Sequence, residues 1–131
     1  FALNVNIKWI GKHSIFLPGI AWFFRWLGGI PVNRENPSSL IDYVVRTVEK
    51  EKGLMIGMAP EGSRKKTSRW KSGFLRIAEQ TNSKIVFLSI DAPFKTLKIG
   101  EIYTPSGDTD RDIDFVMNYY KQFKGINPEQ S

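Results

Sequence analysis

Residues 54–64 read LMIGMAPEGSR, an apolar run that passes directly into a loop opened by Pro60. An unbroken apolar run bounded by glycine and proline is typical of a buried strand. Residues 85–90, IVFLSI, form a second such run. We expect both to be strands buried on two faces, as in a parallel sheet. The loop after residue 58 then leaves the carboxyl end of a strand, where α/β proteins bind their ligands.

Outside these runs the sequence alternates between strand and helix patterns. Gly28 and Gly29 end an aromatic helix, and Asn36 followed by Pro37 caps the next one. The pattern predicts strands over residues 5–10, 30–33 and 96–103, the last an edge strand or hairpin arm, and helices over residues 15–27, 36–52, 71–81 and after 106–109. This order predicts a single α/β domain over residues 1–131, with a mixed, mostly parallel sheet flanked by helices.

The composition favours an anionic partner. Nineteen Lys and Arg oppose thirteen Asp and Glu, and the formal charge of +6 attracts phosphate esters, nucleic acid or an acidic membrane surface. The chain has no cysteine and one histidine, so disulfides and thiolate chemistry are excluded and a cluster of imidazole ligands is not expected. No metal site is predicted.

The loop that follows residue 58 carries groups suited to phosphate. Pro60 and Gly62 would fix a tight turn around Glu61, while Ser63 and free backbone N–H groups can donate to phosphate oxygens. The guanidinium group of Arg64 can bind two of those oxygens at once. From composition alone, a solvated basic loop is the alternative.

A second segment, residues 28–34, reads GGIPVNR and delivers Arg34 to a loop after another short strand. If the two strands are neighbours, Arg34 and Arg64 could converge on one anion. Taken by itself, Arg34 reads as an exposed charge in a turn.

Residues 29–34, GIPVNR, and 59–64, APEGSR, resemble the second and third blocks of the glycerol-3-phosphate and lysophosphatidic acid acyltransferase family. The third block of that family is Phe-Pro-Glu-Gly-Thr-Arg. The run KSGF at residues 71–74 is also similar to the family, which commonly has a Lys-x-Gly-Phe run there. The fourth block matches weakly, because Phe87 or Leu88 stands where the family has proline. The resemblance covers the chain to about Pro105.

This resemblance implies transfer of a fatty acyl group from a thioester, acyl-CoA or acyl carrier protein, to a hydroxyl of a lysophospholipid or glycerol phosphate type acceptor. Arg34 and Arg64 would hold the acceptor phosphate. Glu61, Gly62 and Ser63 would shape that substrate-binding pocket. No cofactor is implied, since the acyl thioester is a co-substrate.

The first block of the family, His-x-x-x-x-Asp, supplies the general base, and it is not visible in this sequence. The single histidine, His13, has Pro18 where the aspartate is needed, so we interpret it as a structural or surface residue. Because the block normally precedes a segment resembling residues 1–12, we expect the catalytic segment upstream. A catalytically dead homologue remains the alternative.

The predicted aromatic helix, residues 15–27, suggests a membrane contact. Trp22, Phe23 and Trp26 accompany Arg25, the only charge in the stretch. Aromatic rings beside a basic side chain suit the headgroup level of a bilayer. A core helix is the alternative. No apolar run reaches the roughly 20 residues of a transmembrane helix, and we expect a peripheral protein on the cytoplasmic face of a membrane.

Two rival functions remain open. A nucleic-acid-binding module would use the basic stretch from Arg64 to Lys71, which includes Trp70, but no nucleic-acid motif is present and no nucleic-acid partner is expected. A non-catalytic phospholipid- or phosphate-binding homologue would use the same pocket as the acyltransferase.

Overall fold

The computed structural model describes residues 5–33, 36–61 and 67–123, and the chain divides into two compact units, Phe1–Ala59 and Pro60–Ser131. The first unit holds strands β1 (Ile7–Lys12), β2 (Gly29–Val32) and β3 (Met55–Gly57), the 3₁₀ turn His13–Ile15, and helices α1 (Ala21–Trp26) and α2 (Pro37–Lys50). The second holds helix α3 (Gly73–Gln80), strands β4 (Ile85–Asp91) and β5 (Thr96–Tyr103), and helix α4 (Thr109–Tyr120). The single domain over residues 1–131 stays a prediction.

The sheet of the first unit is parallel, in the order β2-β1-β3. Trp9 in the central strand lies opposite Gly29 of β2 and Gly57 of β3. Helix α1 connects β1 to β2, and α2 connects β2 to β3. The connection from β1 to β2 and the connection from β2 to β3 run in opposite directions across the sheet. Because such crossovers are right-handed, the two helices are expected on opposite faces. The predicted α/β class, with parallel strands flanked by helices, is confirmed.

Helix α2 forms where the sequence predicts its start. The Asn36 side chain accepts a hydrogen bond from the backbone N–H of Ser39 at 3.4 Å, and Pro37 occupies the first turn. This cap satisfies one of the free N–H groups of the helix start. Ile41 and Val44, at helical spacing, are buried.

Three aromatic rings pack between helix α1 and the sheet. Trp9, Phe16 and Phe24 lie with ring centroids 5.8 to 6.2 Å apart, and Trp9 Nε1 donates to the Leu27 carbonyl at 3.2 Å. We call these three residues the aromatic cluster. They attach α1 to the sheet through one side of the helix.

Gly28 and Gly29 let the chain enter β2 beneath this cluster. Gly28 has φ +82°, a conformation that other residues adopt with strain. A Cβ on Gly29 would lie 2.7 Å from the Phe24 carbonyl oxygen and 2.8 Å from the Trp9 ring. The closeness of backbone and ring therefore requires glycine at position 29.

The second unit is built on the antiparallel hairpin β4–β5. Phe87 is 1% exposed and lies among four rings, with centroids 4.6 to 6.3 Å away: Tyr103, Phe115, Tyr119 and Tyr120. Other buried apolar side chains of this unit are Phe74, Leu75, Ile77, Ala78, Ile113 and Val116.

The expectation that both apolar runs are buried on two faces is wrong. Val86, Leu88 and Ile90 alternate with the buried face of β4 and are exposed. In the first unit, Met55 of β3 is also exposed. The cause differs between the two. Strand β4 pairs antiparallel with β5, an arrangement that commonly buries one face, whereas β3 lies at the edge of its three-stranded sheet.

A buried carboxylate connects β5 to α4. Asp112 accepts hydrogen bonds from the Tyr103 hydroxyl at 2.5 Å, the Ser106 hydroxyl at 2.6 Å and the Ser106 backbone N–H at 2.9 Å. Burial opposes ionisation of Asp112, but these hydrogen bonds hold its pKa below the ordinary value. Burial, followed by the bond to Asp112, raises the pKa of Tyr103 to about 12, so the phenol stays a donor at neutral pH.

Replacing Gly29 with alanine is expected to reduce the free energy of unfolding by about 1 to 3 kcal/mol, because the new methyl group overlaps the Phe24 backbone and the Trp9 ring. Chemical denaturation measures the loss. The matched control is Gly57→Ala, on the neighbouring edge of the same sheet, where the nearest atom to a new Cβ is 3.7 Å away. Equal stability of the two variants would contradict the packing argument.

Replacing Asp112 with asparagine is expected to cost about 1.5 to 3 kcal/mol of unfolding free energy at pH 7, the value of hydrogen bonds to a charged group. Because the folded state lowers the pKa of Asp112, its stabilisation is present above the ordinary value of 3.8 and is lost as the pH falls through the lowered pKa. Denaturation curves from pH 7 downward should show this loss in the wild type and less of it in the variant. The exposed Asp114 of the same helix provides the control, Asp114→Asn; a variant at position 112 as stable as this control would refute the role of the network.

Candidate functional site at the carboxyl edge of the parallel sheet

The three parallel strands of the first unit end at one edge of the sheet. Val32 ends β2, Lys12 ends β1 and Gly57 ends β3. From the sequence, Arg34 and Arg64 could bind one anion together if the strands before them were neighbours. The strands β2 and β3 are instead separated by β1, so their axes lie about 10 Å apart, two strand spacings. The segments that follow them still leave the same edge.

The edge has a step beside the central strand. Val32 is level with Lys12, whereas Gly57 is level with Trp9, so β3 ends three residues short of the end of β1 (12 − 9 = 3). Three residues of strand correspond to about 10 Å. Met58, the first residue after β3, therefore follows a strand end that lies level with Trp9, while β1 continues to Lys12.

This step coincides with the switch point of the sheet. The chain leaves β1 toward β2 on one side, while β3 lies on the other side of β1. In open α/β sheets, the loops at such a point run to opposite faces and leave a crevice that binds ligands. The geometry of the first unit thus selects the ends of β1 and β3.

Lys12 is a residue that the sequence interpretation missed. It lies at the end of the central strand and is exposed, and its side chain has no hydrogen-bond or ion-pair partner among residues 5–33, 36–61 and 67–123. Lys8, at the other end of β1, forms an ion pair with Glu51, and hydrogen bonds from Lys8 and then Asn6 lower the pKa of Glu51. One lysine is used for structure, while the other remains available at the carboxyl edge. The available signal was a lysine two residues after the predicted strand 5–10.

Of the predicted substrate-binding residues, the structure describes Glu61. It lies exposed in a turn with Pro60, which is half-buried. Burial raises the pKa of the Tyr120 hydroxyl, and electrostatic interactions with Tyr119 and then Glu61 raise it further. Arg34, Gly62, Ser63 and Arg64 lie outside the described residues, and their roles stay predictions.

His13 lies in the 3₁₀ turn directly after Lys12 and is exposed, which agrees with a surface histidine. Among the described residues, no group of three or more His, Asp and Glu side chains could hold a metal ion.

The predicted membrane residues belong to one side of α1. Trp22, Phe23 and Trp26 are 70%, 42% and 74% exposed, while Phe24 packs into the aromatic cluster. The helix that contains them is six residues long, shorter than the sequence predicts. Within the described ranges, no helix has both the length and the hydropathy needed to cross a membrane.

Comparison with known proteins shows the family. A family model described as Acyltransferase matches residues 1–91, which include both candidate segments, and the chain therefore belongs to the Acyltransferase family. The predicted resemblance to glycerolipid acyltransferases is confirmed. The match ends at Asp91, the last residue of β4.

Two curated relatives are plant enzymes named 1-acyl-sn-glycerol-3-phosphate acyltransferase, chloroplastic. The chain is 32% identical to the protein from Brassica napus over 104 residues, which are 76% of this chain and 30% of the relative. It is 31% identical to the protein from Arabidopsis thaliana over 104 residues, 76% of this chain and 29% of the relative. The chain thus spans less than a third of the length of these relatives. No solved structure matches it.

Replacing Lys12 with alanine in the full natural chain is expected to weaken binding of a phosphate monoester by about fivefold, the effect of one exposed charge worth about 1 kcal/mol. Isothermal titration calorimetry with glycerol 3-phosphate at low salt measures the change. The control is Lys52→Ala, which removes the same charge from an exposed turn at the opposite edge of the sheet. Equal losses in both variants would mean that Lys12 contributes only to the net charge.

Proposed function

We propose that this protein transfers a fatty acyl group from an acyl thioester, acyl-CoA or acyl carrier protein, to a hydroxyl of a lysophospholipid or glycerol phosphate type acceptor. One observation carries the proposal: the first segment that resembles a family block, residues 29–34, contains β2, the second, residues 59–64, comes after β3, and both strands end at the same edge of a parallel sheet. The names of the two plant relatives support the same chemistry.

The acceptor phosphate is held by cationic groups of the two segments. Arg34 and Arg64 bind its oxygens through charge-assisted hydrogen bonds, and Ser63 donates a further one. Glu61 and Gly62 shape the loop around them. Lys12, at the end of the central strand, adds a third positive charge for a group that carries up to two negative ones.

The reaction requires a general base in addition to this binding site. The acceptor hydroxyl attacks the thioester carbonyl, an O–C bond forms and the C–S bond breaks. The hydroxyl proton passes to the base and then to the departing thiolate. His13 does not fit the role, because Pro18 stands where the partner aspartate is needed. We therefore infer that the base belongs to a His-x-x-x-x-Asp block outside these 131 residues.

The reaction takes place at a membrane surface, because lysophospholipid acceptors and long acyl chains partition into bilayers. We place the protein peripherally on the cytoplasmic face. The donor is a co-substrate, and the residues assigned to the site need no cofactor for this chemistry.

The full natural chain is expected to transfer a long acyl chain from acyl-CoA or acyl carrier protein to members of a lysophospholipid panel. The 131-residue chain is expected to show no turnover, because it lacks the base. In the full chain, Arg34→Ala and Arg64→Ala should each weaken acceptor binding by about 1.5 to 3 kcal/mol, the value of a hydrogen bond to a charged group. Initial rates and equilibrium binding give both quantities.

Two exposed arginines serve as matched controls, Arg46 on α2 and Arg76 on α3. Their alanine variants should bind the acceptor as the wild type does. Unchanged acceptor affinity in both Arg34→Ala and Arg64→Ala would refute the phosphate site. Bound acceptor without turnover in the full chain would instead establish a non-catalytic phospholipid-binding homologue, and salt-sensitive binding of nucleic acid without lipid selectivity would indicate the nucleic-acid module.

A further inference from the structure

The first unit exposes five large apolar side chains on one short stretch of chain. They are Leu17, Ile20, Trp22, Phe23 and Trp26, with exposed fractions of 42% to 74%. We call this group the aromatic surface. We propose that the aromatic surface docks the protein on a bilayer that contains anionic lipids. This interaction is independent of acyl transfer and can be tested without it.

The outward rings form one continuous layer. Trp22 and Trp26 are four residues apart, so they lie on the same side of α1. The ring centroid of Phe23 lies 6.1 Å from each of the two indoles. Single exposed apolar residues are ordinary on protein surfaces, whereas a contiguous group of large ones marks an interaction site.

The polar atom of one exposed indole is already satisfied inside the protein. Trp22 Nε1 donates to the Gly19 carbonyl at 2.9 Å. An indole whose N–H is bonded within its own chain can enter an apolar layer without leaving a buried donor unpaired. A polar protein partner would gain nothing from this arrangement, whereas a lipid layer would.

Charge selects the kind of bilayer. All thirteen acidic residues of the chain lie after position 34, so residues 1–34 carry no acidic side chain. Of their four Lys and Arg residues, Lys8 is paired with Glu51. Arg25 is exposed within the aromatic surface itself. A basic side chain at the surface of an anionic membrane contributes about 1 kcal/mol, which is about fivefold in affinity. The surface is therefore complementary to anionic headgroups.

The side of α1 beneath the aromatic surface is packed against the aromatic cluster. Phe24, from the opposite side of α1, packs on Trp9 and Phe16 at 6.2 and 5.8 Å. Gly29 allows this packing. Because the helix is already held in place by these contacts, binding does not include the free-energy cost of ordering it.

The aromatic surface also lies close in sequence to the carboxyl edge of the sheet. Leu17, its first member, follows Lys12 by five residues (17 − 12 = 5) through the 3₁₀ turn. At most about 3.6 Å per residue separates them along the chain, or about 18 Å. A lipid-borne phosphate at the edge and a bilayer at the aromatic surface are thus within one span of each other.

The test uses the full natural chain and vesicle flotation. The probes are vesicles of phosphatidylcholine alone and of phosphatidylcholine with phosphatidylglycerol. The double variant Trp22→Ser with Trp26→Ser should bind the anionic vesicles at least about tenfold more weakly, because two large apolar side chains no longer leave water. Arg25→Gln should reduce binding to the anionic vesicles about fivefold and leave binding to neutral vesicles unchanged.

Phe94 supplies the matched control, since it is 75% exposed in the turn between β4 and β5. Phe94→Ser should float with the vesicles as the wild type does. Undiminished flotation of the double tryptophan variant overturns the proposal. Loss of its cooperative thermal transition does so too, because it would show that these side chains belong to the core. Acyl transfer to water-soluble glycerol 3-phosphate tests the proposed reaction separately. Failure of the docking proposal therefore leaves the proposed reaction standing, and the reverse also holds.

Discussion

The first unit depends on the contact between the indole of Trp9 and the backbone at Gly29. This contact brings β2 beside β1 in parallel register and presses α1 onto the same face through Phe24. A parallel pair needs a crossover connection, and the connection between β1 and β2 contains helix α1. A side chain at position 29 would separate helix from sheet at the point where the two must meet. The glycine pair before IPVNR is therefore a packing requirement as much as a helix stop.

Local signals in the sequence predicted most elements well, because each depends on residues near one another in the chain. The Asn36–Pro37 cap set the start of α2, and β5 spans the predicted residues Thr96–Tyr103. The aromatic helix came out shorter, since Pro18 and Gly19 form a turn before it. Whether a strand has one face buried or two depends on its partners, which periodicity does not encode. That is why the burial of residues 85–90 was predicted wrongly.

The candidate site divides in the same way. Glycine, proline and arginine in fixed order led to the correct family, because the pattern lies in two short segments. The order β2-β1-β3, the step beside β1 and the exposed Lys12 depend on register between strands that are up to about fifty residues apart in sequence. No local pattern reports such a register. The last three residues of β1 pair with β2 but lie beyond the end of β3, and this step follows from the register alone.

The four tryptophans divide into two pairs with different surroundings. Trp9 lies in the aromatic cluster of the first unit, and the ring of Trp70 lies 5.4 Å from that of Tyr120 in the second. Trp22 and Trp26 face solvent. We therefore expect the intrinsic fluorescence of this chain to combine a blue-shifted signal from the partly buried Trp9 and Trp70 with a red-shifted signal from the exposed pair. In a variant without Trp22 and Trp26, the emission of Trp9 would report the unfolding of the first unit and that of Trp70 the unfolding of the second.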